Sequence, residues 1–421
     1  MTIVDPRAFL EDLFHAAVDA ADPAKMLKNF LPAKPKGRLV VVGAGKASAH
    51  MAAAFEAAYE GEYEGLVVTR HGSAVPCKTI EIVESAHPVP DEGSFEAARR
   101  MMDSVLGLGE DDVVLALISG GGSSLLSLPP EAISPADKQA VNAELLRSGA
   151  TIHEMNCVRK HVSDIKGGRL AAAAHPAKVI TLVISDIPGD DPALVASGPT
   201  VPSASTRDDA LDIIKRYDMA LPDSVTTWMA SDDCAAPRPD DPAFARDEVH
   251  VIAAAQLSLE AAARLSDDLG MKAHILSDAI EGEASEVGQV LAALAVQTAT
   301  KNQPFETPCV ILSGGETTVT VRHKGRGGRN TELLLSSAFG IAGFDTIHAL
   351  AADTDGIDGS ENNAGAFIDG KTVRALQDKG LKPRDLLSGN DAYTAFEAID
   401  ALFVPGPTST NVNDFRAFLI L

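Results

Sequence analysis

Residues 312–332 have the sequence LSGGETTVTVRHKGRGGRNTE, in which two glycine-rich loops flank an alternating segment at residues 317–322. The apolar run just before it, residues 309–312, predicts a buried strand, and the alternating segment predicts a second strand. Arg329 and Asn330 are expected to begin a helix. Glycines allow main-chain N–H groups to approach an anion closely, and a helix N-terminus favours negative charge. The segment therefore predicts a site for a phosphorylated or carboxylated ligand, with a polar hairpin and an ordinary helix start as the alternative.

The overall composition predicts a soluble enzyme with two domains. With 421 residues the chain is too long for one ordinary core, and its hydrophobic content of 45% is ample for globular cores. The net charge of -23 argues against nucleic acid and anionic membranes as partners, since both need a basic surface. The four cysteines lie far apart, which is typical of reduced thiols in the cytoplasm. No run of apolar residues is long enough to span a membrane.

Strands and helices alternate along both halves of the chain. Between residues 38 and 184, apolar strands alternate with amphipathic helices, which predicts a Rossmann-like, doubly wound parallel sheet. Residues 232–248 are rich in Asp, Pro and Ala and are the best linker candidate. A second alternating set follows, so the second domain is also expected to be α/β. We therefore predict an N-terminal domain over residues 1–235 and a C-terminal α/β domain over residues 245–421.

The first strand of this pattern runs into a glycine-rich loop, residues 43–48, with the sequence GAGKAS. This context resembles a dinucleotide-binding fingerprint, but Ser48 stands where Gly or Ala belongs. Lys46 lies at the predicted helix start, so we expect the loop to contact a phosphate or carboxylate through Gly45, Lys46 and Ser48. A dinucleotide site stays open as an alternative, because Arg70 at the end of the next strand would suit a 2′-phosphate. A purely structural turn is the third interpretation.

A second loop of this kind follows the apolar strand at residues 113–118. Residues 118–124, ISGGGSS, resemble residues 312–318, LSGGETT. Each domain thus presents a strand that ends in a Ser-Gly-Gly loop with hydroxyl groups, and two such loops facing each other would suit a two-substrate reaction. The candidate phosphate-binding residues are Ser119, Gly120, Gly121, Gly122 and Ser123 in the first loop, and Gly314, Gly315, Glu316 and Thr317 in the second.

Two acidic clusters stand at predicted strand ends, one at residues 185–191 and one at residues 353–358. Mg²⁺ is commonly bound through one or two carboxylates together with the phosphates of a substrate. We therefore predict Asp186, Asp190 and Asp355 as metal ligands, with Asp186 or Asp355 also able to accept a proton from a substrate hydroxyl. The alternative is that these aspartates cap helices and turns.

The segment at residues 156–169 is strongly cationic and is predicted to be helical. Asn156, Arg159, Lys160 and Ser163 have the spacing i, i+3, i+4 and i+7, which places them on one helix face. That face could present several anion ligands to a cleft, and Lys166 lies just beyond it. A solvated basic surface is the alternative.

These motifs, in this order, resemble the MOFRL family of glycerate kinases over nearly the whole chain. The residues that carry the resemblance are 42–48, 87–92, 119–123, 156–168, 185–200, 312–321, 327–330, 351–359 and 406–414. The resemblance implies a Rossmann-like first domain, a C-terminal α/β MOFRL domain and an active site in the cleft between the domains. The implied reaction is ATP-dependent phosphorylation of D-glycerate at its 2-hydroxyl, giving 2-phosphoglycerate and ADP.

The resemblance also implies roles for particular residues. Lys46, Arg329 and Asp186 are expected to be catalytic, with ATP and Mg²⁺ required and D-glycerate and ATP as small-molecule partners. The further binding residues that it implies are Gly198, Gly328, Asn330 and Asn411. A homodimer is an option. Two other classes of protein stay open: an NADP-linked hydroxypyruvate reductase, after an older family label, and a sugar-acid-binding protein without catalysis.

Overall fold

The structure is a computed structural model that describes residues 5–187 and 189–421. The chain divides into two compact units. One, the middle unit, comprises residues 26–252, and the other, the terminal unit, comprises residues 5–25 and 253–421. These bounds differ from the predicted division at residues 235–245, because the first 25 residues belong with the second half of the chain.

The middle unit contains a six-stranded sheet with the order β3-β2-β1-β4-β5-β6. Its strands are β1 (Leu39–Ala44), β2 (Glu64–Arg70), β3 (Glu81–Ser85), β4 (Val113–Ser119), β5 (Lys178–Ile184) and β6 (Glu248–Ala253). The pairs β1–β2, β1–β4, β2–β3 and β4–β5 are parallel. This is the order of a doubly wound, dinucleotide-binding type of sheet, so the predicted Rossmann-like fold is confirmed. The order reverses between β1 and β4, and in such sheets ligands bind beyond the carboxyl ends of those strands.

The terminal unit contains a second six-stranded sheet, which is mixed rather than parallel. The strands of this unit are β7 (Lys272–Ile275), β8 (Gly282–Glu283), β9 (Cys309–Gly315), β10 (Thr317–Thr318), β11 (Ile347–Asp353), β12 (Gly365–Asp369), β13 (Leu402–Phe403) and β14 (Asp414–Ile420). The order is β13-β12-β11-β14-β9-β7, with β7 parallel to β9 and the other pairs antiparallel. β8 and β10 form a separate parallel pair.

Two features of the terminal unit differ from the sequence pattern. The strand predicted over residues 317–322 is wrong beyond Thr318, because residues 319–322 leave the short β8–β10 pair and continue without regular structure. The sequence pattern also predicts no strand at residues 414–420, where β14 lies between β9 and β11 with every residue buried.

Both units contain helices. They are α1 (Pro6–Ala20), α2 (Pro23–Met26), α3 (Ser48–Ala58), α4 (Glu92–Val105), α5 (Gly122–Leu125), α6 (Pro135–Ser148), α7 (Ile152–His161), α8 (Arg169–Ala174), α9 (Arg207–Arg216), α10 (Asp223–Ala230), α11 (Ala255–Asp268), α12 (Ala284–Lys301), α13 (Arg329–Gly340), α14 (Thr372–Asp378), α15 (Pro383–Ser388) and α16 (Ala392–Ala398). The predicted helix start at Arg329 is confirmed.

Helix α1 explains why the chain's first described residues belong to the terminal unit. Its apolar face is buried, and Phe14 packs edge-on against Phe403 and Phe415 of the terminal sheet. Arg7 Nη2 donates to Leu402 O at 3.3 Å, which connects the helix start to β13 of the same sheet. Burying aromatic side chains of this size is worth about 1.5–3 kcal/mol each. The helix is therefore part of the terminal core although it is far from that core in sequence.

Candidate active site

The loops that follow β1 and β4 are locked together at the point where the strand order reverses. Ser119 Oγ accepts a hydrogen bond from Ala47 N at 3.0 Å and lies 3.1 Å from Ser48 Oγ. Gly45 has a φ of 145°, and a Cβ there would lie 2.1 Å from Ser119 Oγ, so only glycine fits. Lys46 N donates to Gly120 O at 2.9 Å. The hydroxyls of Ser48 and Ser119, predicted to bind ligand, are buried and hold this loop pair.

A cavity of about 540 Å³ lies beside these loops, within the middle unit. Five of the predicted site residues line it: Gly121, Ser123, Asn156, Arg159 and Asp186. The structure therefore brings together residues from the loop after β4, the helix α7 and the end of β5. Its remaining walls come from the loop before α4 and from one face of α6.

Hydrogen bonds order the polar part of this cavity. Ser123 Oγ lies 2.8 Å from Ser197 Oγ, and Ser197 Oγ donates to Asn156 Oδ1 at 3.0 Å. Arg159 Nη1 donates to the same Asn156 oxygen at 3.4 Å. Ala196 and Ser197 both have positive φ angles, which is unusual for residues with side chains and is typical of functional loops. The network positions Ser123 and Arg159 at the cavity, and it uses only one nitrogen of the Arg159 guanidinium, Nη1.

The first and third glycines of the loop after β4 are required by packing inside the protein. A Cβ on Gly120 would lie 1.7 Å from Asp186 Oδ2, so the glycine allows that carboxylate to approach the main chain. A Cβ on Gly122 would lie 2.6 Å from the Ala196 methyl group. Gly198, another predicted binding residue, has a φ of 58° and no room for a Cβ beside Ala193 O. These glycines shape the site, and Gly121 is the loop glycine that lines the cavity.

Lys46 and His87 approach each other across Gly121. A Cβ on Gly121 would lie 3.1 Å from His87 Nε2 and 3.1 Å from Lys46 Cγ. The pKa of His87 is lowered to about 4, first because the surrounding protein removes part of its hydration and second because Lys46 and Arg70 repel its charged form. His87 lines the cavity and is neutral near pH 7. Sequence reasoning used its motif only for the family resemblance and gave it no role.

The cationic segment at residues 156–169 is organised differently from the prediction. Helix α7 ends at His161, so the prediction that Ser163 shares its face is wrong. Ser163 Oγ accepts from the main-chain N–H groups of Ile165 and Lys166, each at 3.3 Å. Lys160 is buried, and burial lowers its pKa to about 8. Of the four residues predicted on one face, Asn156 and Arg159 line the cavity.

Lys166 acts on the site through the main chain. Its Nζ donates to Ser123 O at 2.8 Å and to Leu126 O at 2.7 Å, and burial lowers its pKa well below the ordinary lysine value. The Lys166 amino group therefore anchors the loop that carries Ser123. Lys138 is buried in a similar way, with Nζ donating to Val162 O at 2.7 Å and a pKa lowered to about 7 by burial.

In the terminal unit, Arg329 stands at the start of α13 among three carboxylates. Its Nη1 lies 2.6 Å from Glu316 Oε1, its Nη2 lies 2.7 Å from Asp353 Oδ2, and its Nε lies 2.8 Å from Asp414 Oδ1. Burial alone would lower the pKa of the guanidinium, but these carboxylates together raise it. The pKa of Asp353 is raised, first by burial and second by repulsion from the neighbouring Asp355. The positive charge of Arg329 lowers this pKa but does not cancel the increase. Sequence reasoning selected Glu316 and Arg329 but not Asp353 or Asp414.

Arg416, also not selected from the sequence, connects this cluster to the Ser-Gly-Gly loop after β9. Its side chain is fully buried, and Nη1 donates to Gly314 O at 2.9 Å. Its Nη2 pairs with Asp414 Oδ2 at 2.5 Å and also donates to Gly315 O at 3.5 Å. The only sequence signal was a charge inside a run of apolar residues. The carbonyl groups of this loop, rather than its N–H groups, are therefore held by a cation.

The N-terminus of α13 already holds an internal anion. Asp358 accepts from Asn330 N and Thr331 N, each at 2.9 Å, and from Thr331 Oγ1 at 2.8 Å. Burial raises the pKa of Asp358 to about 6. A Cβ on Gly328 would lie 2.5 Å from Asp358 O, so this glycine packs against the capping residue. The ligand anion expected at this helix start is thus replaced by a carboxylate of the chain itself.

The other predicted residues of the terminal unit lie near this cluster. Thr317, Gly328 and Arg329 line a cavity of about 330 Å³ together with Asp353 and others. Asp355 Oδ1 accepts from Ile357 N at 2.9 Å, and Asn411 Oδ1 accepts from Asn413 N at 3.2 Å. Within residues 5–187 and 189–421, no group of three or more His, Cys, Asp or Glu side chains is arranged to hold a metal ion.

The structure is that of an α/β protein with a cavity beside the topological switch point of its parallel sheet. Models of two families match the chain: a domain of unknown function, DUF4147, at residues 9–230, and the MOFRL family at residues 309–414. The chain therefore belongs to the DUF4147–MOFRL family, whose members include glycerate kinases.

Several proteins are similar to this chain over nearly its full length. A D-glycerate 2-kinase from Thermotoga maritima is 39% identical over 412 residues, covering 97% of each chain. A protein from Agrobacterium vitis with a provisional hydroxypyruvate reductase name is 53% identical over 420 residues, covering 99% of this chain and 95% of the relative. The crystal structure of glycerate kinase from Thermotoga maritima has a TM-score of 0.90 at 37% identity and covers 99% of both chains. In the described part of the chain, no helix combines the length and apolar character needed to cross a membrane.

Proposed function

We propose that the protein transfers the γ-phosphoryl group of ATP to the 2-hydroxyl of D-glycerate, giving 2-phosphoglycerate and ADP. The observation that carries this proposal is the middle-unit cavity, where Ser123, Arg159 and Asp186 meet beside the loop of Lys46. The name of the full-length relative from Thermotoga maritima supports the same reaction. Phosphoryl transfer depends mainly on positioning and on neutralising charge on the transferred group, which such a set of residues provides.

Within this proposal, the cations have different tasks. Lys46 offers a compact point charge beside Gly121, which suits the transferred phosphoryl group. Arg159 offers a planar fork that can grip the carboxylate of glycerate in a bidentate manner. Arg329 is proposed as the second catalytic cation, supported by the three carboxylates that hold its guanidinium in one orientation.

The reaction also needs an acceptor for the substrate proton. The 2-hydroxyl oxygen attacks the γ-phosphorus, and the bond between that phosphorus and the bridging oxygen of ADP breaks. We assign the hydroxyl proton to Asp186, whose carboxylate lies against Gly120 and lines the cavity. His87 lies beside Lys46 and is neutral near pH 7, so it adds no charge of its own there. The charge of Lys46 can therefore interact with the phosphates.

Mg²⁺ is the metal that we propose, with Asp186, Asp190 and Asp355 as the candidate carboxylates. Mg²⁺ takes one or two carboxylates together with phosphates and water, so it does not require a cluster of three protein ligands. Asp186 fits this role because its carboxylate is only half-buried and lines the cavity. Bound Mg²⁺ would neutralise charge on the β- and γ-phosphates of ATP. We further propose a cytoplasmic location, in line with the acidic composition.

A hydroxypyruvate reductase is the second candidate, and the strand order together with the name of the Agrobacterium vitis relative favours it. Two assays on the same preparation separate the candidates: ADP release with D-glycerate and ATP, and NADPH oxidation with hydroxypyruvate. We expect ADP release that depends on D-glycerate, no NADPH oxidation above background, and loss of ADP release in Lys46→Ala. NADPH oxidation without glycerate-dependent ADP release would reject the kinase proposal.

A further inference from the structure

We propose that the apolar wall of the middle-unit cavity, formed by Val89, Leu146 and Ile152, binds the adenine base of ATP. The inference rests on the proposed function and deepens it, because it assigns the nucleotide rather than glycerate to this wall. These three side chains are among the exposed large apolar residues, with 59%, 68% and 41% of their surface accessible. All three line the same cavity as Ser123, Arg159 and Asp186.

The size of the cavity indicates a ligand larger than glycerate. A volume of about 540 Å³ lies in the range of pockets for nucleotide-sized or drug-sized molecules. Glycerate is a three-carbon acid with an oxygen on every carbon, so it offers no apolar face to the wall. The polar end of the cavity suits phosphates and glycerate, and the apolar wall is left for the flat base of the nucleotide.

Helix α6 presents a matching surface to the cavity. Gln139, Asn142, Ala143 and Leu146 have the spacing i, i+3, i+4 and i+7, and all four line the cavity. Ala143 has only a methyl side chain, which leaves room for a planar ring against Leu146. The Asn142 amide carries a donor and an acceptor, the combination that adenine presents at its edge.

The test uses neutral variants, because an added charge would also repel the phosphates. Leu146→Asn replaces the apolar wall, and Val290→Asn is the matched control, since Val290 on α12 is also 68% exposed but lies in the terminal unit. Calorimetry measures the Kd of ATP and of inorganic tripolyphosphate, and steady-state kinetics measures KM for ATP and for D-glycerate. We expect Leu146→Asn to raise the Kd and KM for ATP about tenfold and to leave tripolyphosphate and glycerate within about twofold. Val290→Asn should match the parent protein.

The outcomes separate this inference from the proposed function. If the protein binds ATP through Leu146 but releases no ADP with glycerate, the kinase proposal fails and the base site stands. If the kinase is active but ATP binds Leu146→Asn as tightly as the parent, the base site is overturned. A change in oligomeric state on size-exclusion chromatography with unchanged ATP affinity would also overturn it and identify the wall as a contact between copies. Ile152→Ser repeats the test from α7 should Leu146→Asn fold poorly.

Discussion

The Nε atom of Arg329 lies 2.8 Å from Oδ1 of Asp414, and this ion pair joins the start of α13 to the first residue of β14. The second oxygen of Asp414 pairs with the buried Arg416 on the same strand. Asn330 Nδ2 donates to Asp414 Oδ1 at 2.8 Å as well. The direction of the Arg329 guanidinium is therefore set by residues that lie in the interior of the terminal sheet.

Replacement of Arg416 tests this relationship. In Arg416→Lys the charge is kept, but a single ammonium cannot bridge Gly314 O and Asp414 Oδ2 as the guanidinium does. We expect kcat to fall roughly tenfold to a hundredfold and the free energy of unfolding to fall by roughly 1–3 kcal/mol. Kinetics and urea unfolding measure the two effects. Arg374→Lys, at an exposed ion pair on α14, is the control and should change neither, whereas parent-like kcat in Arg416→Lys would refute the positioning role.

Lys46→Ala tests the proposed contact with the transferred phosphoryl group. Loss of a charge that acts mainly in the transition state is worth roughly 3–4 kcal/mol, so we expect kcat to fall by about two to three decades with a smaller change in KM for glycerate. Lys46→Arg should recover little, because a planar fork does not replace a point charge beside Gly121. Lys34→Ala, at an exposed lysine of the same unit, should retain parent kcat. A folded Lys46→Ala that keeps kcat within about threefold would show a structural lysine instead.

Removal of divalent metal tests the role proposed for the acidic segment after β5. We expect excess EDTA to abolish ADP release and added Mg²⁺ to restore it, because the phosphates of ATP need charge neutralisation. Asp186→Asn should lower kcat, because an amide cannot accept the hydroxyl proton, and should also raise the Mg²⁺ concentration needed for half-maximal rate. Asp103→Asn, at an exposed position on α4, should change neither. Full activity in EDTA would rule out a metal requirement.

The buried Lys138 predicts a pH dependence of stability. Its pKa is about 7 in the folded protein and near 10.5 in the unfolded chain, so the unfolded chain binds more protons between these values. The free energy of unfolding should then increase with pH from 7 to 10.5, by up to about 1.4 kcal/mol per pH unit from this group. Lys138→Met removes the effect. The difference between parent and variant, measured by urea unfolding at several pH values, should therefore grow with pH in favour of the parent.

A constant difference between Lys138→Met and the parent across this pH range would mean that Lys138 is not a buried, neutralising lysine. Lys34→Met provides the comparison at an exposed position, where the pH dependence should equal that of the parent. Lys166 is also buried, and its pKa is lowered first by burial and second by repulsion from the charge of Lys138. Lys138→Met therefore also alters the titration of Lys166, and the same urea series on Lys166→Met separates the two contributions.

Much of the middle unit could be predicted from the sequence. β1 and β4 are continuous apolar runs because both faces of a parallel sheet are covered, and each run ends in a glycine loop at the carboxyl edge. Parallel strands place such loops at one edge of the sheet, but the structure was needed to show that β1 and β4 are neighbours and that Lys46 therefore lies beside Gly121. The start of α13 was also visible, since Arg329 follows two glycines.

Other parts could not be predicted because they depend on partners distant in the chain. Arg329 meets Asp414 across 85 positions, and a local pattern contains no information about such a pair. β14 was missed because Asp414 and Arg416 interrupt its apolar run, and their burial is tolerated only because they neutralise each other. Lys160 was assigned to a ligand-binding helix face, with Lys166 just beyond it, because a sequence shows a charge but not whether that charge is buried.

The amino-acid sequence by itself determined the two α/β halves, the glycine loops at strand ends and the inventory of cations and carboxylates. Those properties are local, because hydrophobic periodicity and turn chemistry act over a few residues. The tertiary structure alone decided that α1 packs in the terminal core and that Asp358 caps the start of α13 at Asn330. It also decided that Asn156 and Arg159 line the cavity, whereas Lys166 binds the main-chain carbonyl groups of the loop that carries Ser123. The physical reason is that burial and ion pairing are set by packing between distant segments, which give identical residue types opposite roles.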